Sequence, residues 1–196
     1  MEDNRFVEKY KNIGLKNSEI KYASMVESMD HALGVVLDEL KKKNILENTI
    51  VVFMSDNGGL SAVAREGEKH NHNYPLKSGK GSIYEGGIRV PMIASWPNKI
   101  KAGSKSNHIS AFYDFFETAC DVAGIKNNVE TDGISFYHEM IGGIQAKHDY
   151  LYWEYPASGG LQAIRMGKWK GVKNNLFKKP SKLKLFDLLS DEKELN

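Results

Sequence analysis

Between Ile20 and Leu40 apolar side chains return every three or four positions. Tyr22, Met25, Val26, Met29, Leu33, Val36, Leu37 and Leu40 fall on one stripe of a helix, which predicts a helix with its stripe in the core. Asn17 or Ser18 suits its start, Lys41–Lys43 the negative end of its dipole, and Asn44 its stop. The next pattern has no alternation at all. Thr49-Ile50-Val51-Val52-Phe53-Met54 is a continuous β-branched and apolar run, which predicts a strand covered on both faces in a parallel sheet. Ser55-Asp56-Asn57-Gly58-Gly59 must then turn. From Leu60 to Gly87 the chain is polar, glycine-rich and aperiodic, a length that suits a functional or mobile loop.

Val90 to Trp96 reads as a second strand, with Pro91 near its entry. A second helix is predicted from about Ser110 to Ala123, with Phe112, Phe115, Phe116, Ala119, Cys120 and Ala123 inward and Gly124 as its C-cap. This order argues for an α/β layer architecture. After Gly143 the pattern shortens. Tyr150–Tyr155, Leu161–Met166, Lys168–Lys173 and Leu183–Leu188 predict an antiparallel meander, so the division expected is 1–145 for an α/β part and 146–196 for a small antiparallel subdomain.

Composition narrows the class without naming a chemistry. The 196 residues are 41% hydrophobic with a net charge of +2, which excludes a disordered chain and gives no electrostatic case for nucleic acid. No apolar run is long enough to span a membrane, and the residues from Met1 to Lys11 hold no apolar signal segment. The single cysteine, Cys120, excludes an internal disulfide framework and falls on the apolar stripe, where a packed, inert thiol is expected.

Two segments offer chemistry. Asp56 and Asn57 follow a strand end, the edge at which open α/β sheets bind ligands, and their oxygens suit a hard cation such as Ca²⁺ or Mg²⁺. A polar turn in which these side chains bond their own backbone is the plainer alternative. Two donors also fall short of the six to eight oxygens typical of calcium. In Ser78-Gly79-Lys80-Gly81-Ser82 the glycines let an anion approach Lys80, a compact charge for sulfate or phosphate, whereas the spacing fails as a nucleotide P-loop. His70 and His72 could share a strand face as a metal pair or be incidental loop residues. The eight Lys/Arg between Arg165 and Lys184, with no acid among them, could attract a polyanion or line the wet face of a sheet.

These blocks taken together resemble the C-terminal half of a type I sulfatase. The residues that carry the likeness are Tyr22 to Asp30, Asn48 to Gly59, Pro75 to Pro91, Asp114 to Gly124, Asp132 to Ser135, Gln162 to Lys170 and Leu185 to Leu188. The resemblance implies an α/β fold of alkaline-phosphatase type: the C-terminal part of its sheet-and-helix domain, followed by a small antiparallel β subdomain. It implies hydrolysis of sulfate esters by a formylglycine with a calcium ion, taken ahead of magnesium. Asp56 and Asn57 match metal ligands and Lys80 a catalytic lysine that contacts the sulfate; His70 and His72 become candidate substrate contacts.

The nucleophile motif, Cys- or Ser-x-Pro-x-Arg, is absent, so the resemblance implies part of a longer chain whose missing half carries the formylglycine. This chain alone is then expected to be inactive and to self-associate through apolar surface. A sulfated small molecule or glycan is the expected partner, with no nucleic acid and no membrane, and a periplasmic or secreted parent is expected from the family. The alternatives are a phosphoryl or phosphonate ester hydrolase of the same superfamily and a non-catalytic module that binds sulfated glycans.

Overall fold

The computed structural model describes residues 3–60 and 72–195. A short helix, α1 (Asn4–Tyr10), lies against the long α2 (Asn17–Lys42). Polar contacts join them: Tyr10 Oη donates to Glu27 at 2.6 Å, and Ser28 Oγ donates to Asp3 at 2.7 Å. The N-cap of α2 is Lys16, one residue before the expected Asn17 or Ser18, and the helix ends before Asn44, whose φ of 55° stops it. Its stripe is not core. Met25, Val26, Met29 and Val36 are exposed, and Ile20 and Ser24 are its buried residues, because no described element covers the outer length of the helix.

β1 (Val51–Met54) follows a 3₁₀ turn and pairs with β2 (Met92–Ser95), in the register Val51↔Ser95 to Met54↔Met92. The pairing is antiparallel, not parallel as the apolar run suggested, and β1 is half-buried rather than covered on both faces. An unbroken apolar run reports burial, not the direction of the neighbouring strand. Between these strands lies α3 (Glu85–Ile88), a single turn with its first three residues buried.

α4 (Asp114–Ala123) starts later than expected and ends on Gly124 at φ 66°. Its inner face is polar. Phe112, Phe115 and Phe116 are exposed, while Asp114 and Thr118 are buried. The Asp114 carboxylate accepts from Ala111 N at 2.7 Å, Ile134 N at 2.9 Å and His148 Nε2 at 2.7 Å; Thr118 Oγ1 accepts from Phe136 N at 3.0 Å. This face therefore binds the following loop through hydrogen bonds, and the aromatic stripe points away from it. Cys120 is free and half-buried. The short α5 (Tyr137–Ile141) then leads to the meander.

β3 (Leu151–Tyr155), β4 (Leu161–Met166), β5 (Trp169–Asn174) and β6 (Lys184–Asp187) form an antiparallel sheet in chain order, as the sequence predicts. Alternation sends Leu161 and Ala163 of β4, Val172 of β5 and Phe186 of β6 to one face, where they meet Ile83 and Leu188. Ile83 belongs to the segment just before α3, so this core anchors the glycine-rich loop to the sheet. No described helix is long and apolar enough to cross a membrane.

The same face holds an ion cluster built around the fully buried Lys170. Lys170 Nζ lies 2.8 Å from Glu85 Oε1 and 2.9 Å from Glu194 Oε1, with no exposed side-chain surface. Arg165 Nη1 reaches Glu85 Oε2 at 3.4 Å, and Glu85 N donates to Glu194 Oε2 at 2.6 Å. Burying charge is costly unless every partner is present, so this cluster ties α3, the sheet and the chain's last turn into one arrangement. Burial pushes the Glu194 carboxyl up, against the pull of Lys170. With its folded pKa above the unfolded value, Glu194 binds protons more readily in the native state, so its contribution falls as pH rises through that window. Urea midpoints from pH 4.5 to 7 are expected to show this downward contribution as the difference between the parent chain and Glu194→Gln. Parallel profiles for the two proteins would contradict it.

Candidate anion and cation site

β1 delivers Ser55-Asp56-Asn57-Gly58-Gly59 at its end. Ser55 Oγ donates to Asn57 O at 2.8 Å and closes the turn. Asp56 is exposed and Asn57 half-buried. Gly58 is buried against the α3 turn, with its N–H donating to Gly87 O at 2.9 Å. A Cβ on Gly58 would overlap the Gly86 carbonyl, so only glycine allows this approach. Across the gap, Lys80 N donates to Gly59 O at 3.2 Å, and Gly86 N donates to Lys77 O at 2.8 Å. The turn that carries Asp56 and Asn57 and the loop that carries Lys80 are thus in direct backbone contact.

Among the described residues, the side chains of Asp56, Asn57 and Lys80 make no hydrogen bond or ion pair. The structure therefore does not favour the alternative in which these Asx side chains close their own turn. The donor set, a carboxylate and an amide oxygen, is chemically suited to a hard cation and fits one as part of a larger ligand set. Among the described residues no cluster of three or more His, Cys, Asp or Glu completes it. A lysine beside such a cation adds positive charge for a tetrahedral oxyanion.

His72 packs its ring on Tyr22 of α2, with centroids 5.3 Å apart. His70 lies outside the described residues. Further residues hold the described part of the loop. Lys77 Nζ donates to Glu194 O at 2.7 Å and sits 4.5 Å from the Tyr84 ring centroid. Asn73 contacts both Gly59 and Ser78 through its amide. Glu85 was visible as part of the Pro75–Pro91 resemblance, whereas Asn73 and Glu194 carry no periodic or spacing signal.

The basic stretch from Arg165 to Lys184 is less available to a polyanion than its composition suggests. Arg165, Lys168 and Lys170 are paired with Glu85, Asp187, and Glu85 with Glu194, respectively. Lys168 holds the Asp187 carboxyl below the usual range.

The profile of the Sulfatase family matches residues 2–125, and that of the N-sulphoglucosamine sulphohydrolase C-terminal region matches residues 78–196. Canis lupus familiaris N-acetylgalactosamine-6-sulfatase is 32% identical over 152 residues, covering 76% of this chain and 28% of that protein. A sulfatase of Formosa agariphila is 33% identical over 161 residues, covering 74% and 28%. The chain thus spans little more than a quarter of the length of these relatives. The crystal structure of Ps i-CgsB in complex with k-i-k-neocarrahexaose superimposes with a TM-score of 0.84 at 33% identity, over 100% of this chain and 42% of that one.

The close packing makes a direct test. Gly58→Ala is expected to destabilise the chain by roughly 2 kcal/mol or more through overpacking. Gly34→Ala, on the helix α2 with nothing within 4 Å, is expected to be neutral or stabilising by about 0.5–1 kcal/mol. Urea denaturation of both variants checks this, and a Gly58→Ala protein as stable as the parent would show that the turn does not need this contact.

Proposed function

The chain belongs to the sulfatase family, whose enzymes hydrolyse sulfate esters, and from that premise we propose that it supplies part of a sulfate-ester site. In this reading Asp56 and Asn57 hold a divalent cation, calcium ahead of magnesium, and Lys80 binds the sulfate. The observation that supports it best is the 3.2 Å hydrogen bond from Lys80 N to Gly59 O, which makes the two loops neighbours.

Sulfatases are in general metal- and formylglycine-dependent. A bound cation supplies positive charge that holds sulfate oxygens and stabilises the charge that develops on them. Within this chain Asp56 and Asn57 contribute hard oxygen donors to that ion. Lys80 brings an ammonium whose exposed position leaves its three donors available to an incoming anion. The sequence contains no Cys- or Ser-x-Pro-x-Arg segment to furnish a formylglycine, and the role of these residues in this reading is to bind the cation and the sulfate.

The substrate class in this reading is a sulfated carbohydrate. Relatives named N-acetylgalactosamine-6-sulfatase and a similar structure in complex with k-i-k-neocarrahexaose support it. Substrate contact by His70 and His72, and a periplasmic or secreted location, rest on the family resemblance alone.

Calorimetric titration with calcium chloride and with sodium sulfate tests the assignment. Asp56→Ala is expected to abolish calcium binding, and Lys80→Ala to weaken sulfate binding by about tenfold or more while sparing calcium. Calcium binding undiminished in Asp56→Ala, or sulfate binding undiminished in Lys80→Ala, would remove the respective residue from the site.

A further inference from the structure

Asn73 joins the two loops with a single amide. Its Oδ1 accepts from Gly59 N at 2.9 Å, and its Nδ2 donates to Gly59 O at 3.1 Å and to Ser78 O at 3.0 Å. One orientation of the amide satisfies this set, because a flipped side chain would set its oxygen against two carbonyls. The backbone reinforces it. Asn73 O accepts from Leu76 N at 2.8 Å, and Ser78, at φ 67°, turns the chain back so that Lys80 N reaches Gly59 O. A Cβ on Gly79 would overlap that same Gly59 oxygen and stand 2.8 Å from Asn73 Nδ2, so the loop is seated directly on the amide.

Gly59 lies two residues after Asn57, and Ser78 two residues before Lys80. The amide therefore spans the short path between the cation donors and the lysine. A lysine stem is flexible and can follow its anion, so the backbone must hold a fixed spacing between cation and anion. We propose that Asn73 is a positioning residue that sets this spacing and so couples the binding of a divalent cation to the binding of a sulfate group. This inference rests on the function proposed above. Two ligands of opposite charge strengthen one another only while their sites stay close, and by linkage the strengthening is reciprocal. Without the amide each loop keeps its own ligand-binding atoms and loses its register with the other.

The test uses the chain with calcium chloride and sodium sulfate as probes, in parent, Asn73→Asp and Asn73→Ala forms. Asn73→Asp keeps the shape and the Oδ1 acceptor and removes both donated bonds. In the parent, saturating calcium is expected to tighten sulfate binding by about fivefold or more, and both variants to bring that factor close to one with calcium affinity itself little changed. Hydrogen exchange at the Gly59 and Lys80 amides is expected to accelerate about tenfold or more, while the β5 amides keep their protection. Calcium–sulfate coupling kept in both variants overturns the role of Asn73. So does unchanged exchange at Gly59 and Lys80, or a loss of β5 protection that accompanies theirs in both variants. A parent chain that binds neither probe overturns the proposed function and the coupling with it, and the exchange data then decide separately whether Asn73 holds the loops together.

Discussion

Two loops meet backbone to backbone where Gly58 has no side chain to hold them apart, and the geometry of the candidate site follows from that approach. Gly58 lies under the Gly86 carbonyl and donates to Gly87 O. With this contact made, the end of β1 is held against the α3 turn, and the Asn73 amide ties Gly59 to the segment that carries Lys80. Glycine costs backbone entropy wherever it is ordered, and here the return is a separation that no residue with a Cβ permits.

Such a contact needs a rigid support, and the antiparallel sheet provides it. Ile83 enters the apolar face of β4, β5 and β6, while Glu85 enters a buried cluster with Lys170, Arg165 and Glu194. The apolar part supplies most of the driving force, since burial of hydrocarbon is non-directional and cumulative. The charged part supplies direction, because each carboxylate must find its ammonium or guanidinium to avoid a large desolvation cost. The described segment from 73 to 87 thus lies between two fixed points: the end of β1 on one side and the sheet with the last turn of the chain on the other. The exposed faces of α2 and α4 stand outside this arrangement, and their apolar stripes are surface among the described residues.

The elements with a clear period were legible in the sequence. α2 and the four strands of the meander emerged within a few residues of their observed bounds, because alternation and the 3.6-residue repeat are direct records of a buried face. Strand direction was not legible, since Val51–Met54 reads the same beside a parallel or an antiparallel neighbour. Nor was the side of α4 that is covered: its Phe residues form the stronger apolar stripe, yet Asp114 and Thr118 are the buried pair. Polar packing of that kind depends on partners such as His148, distant in sequence, and leaves no local period. Lys170 was read among lysines on a wet face for the same reason. Its partners, Glu85 and Glu194, lie 85 residues before it and near the end of the chain. At the candidate site, Asp56, Asn57 and Lys80 were visible by chemistry and by family likeness, and Asn73 by neither.

A crystal structure of the chain grown with calcium and sulfate would address the convergence of these groups most directly. Calcium is expected about 2.3–2.6 Å from oxygens of both Asp56 and Asn57, with a sulfate between that ion and Lys80 Nζ. Calcium bound away from the end of β1, or a sulfate held without Lys80, would contradict it.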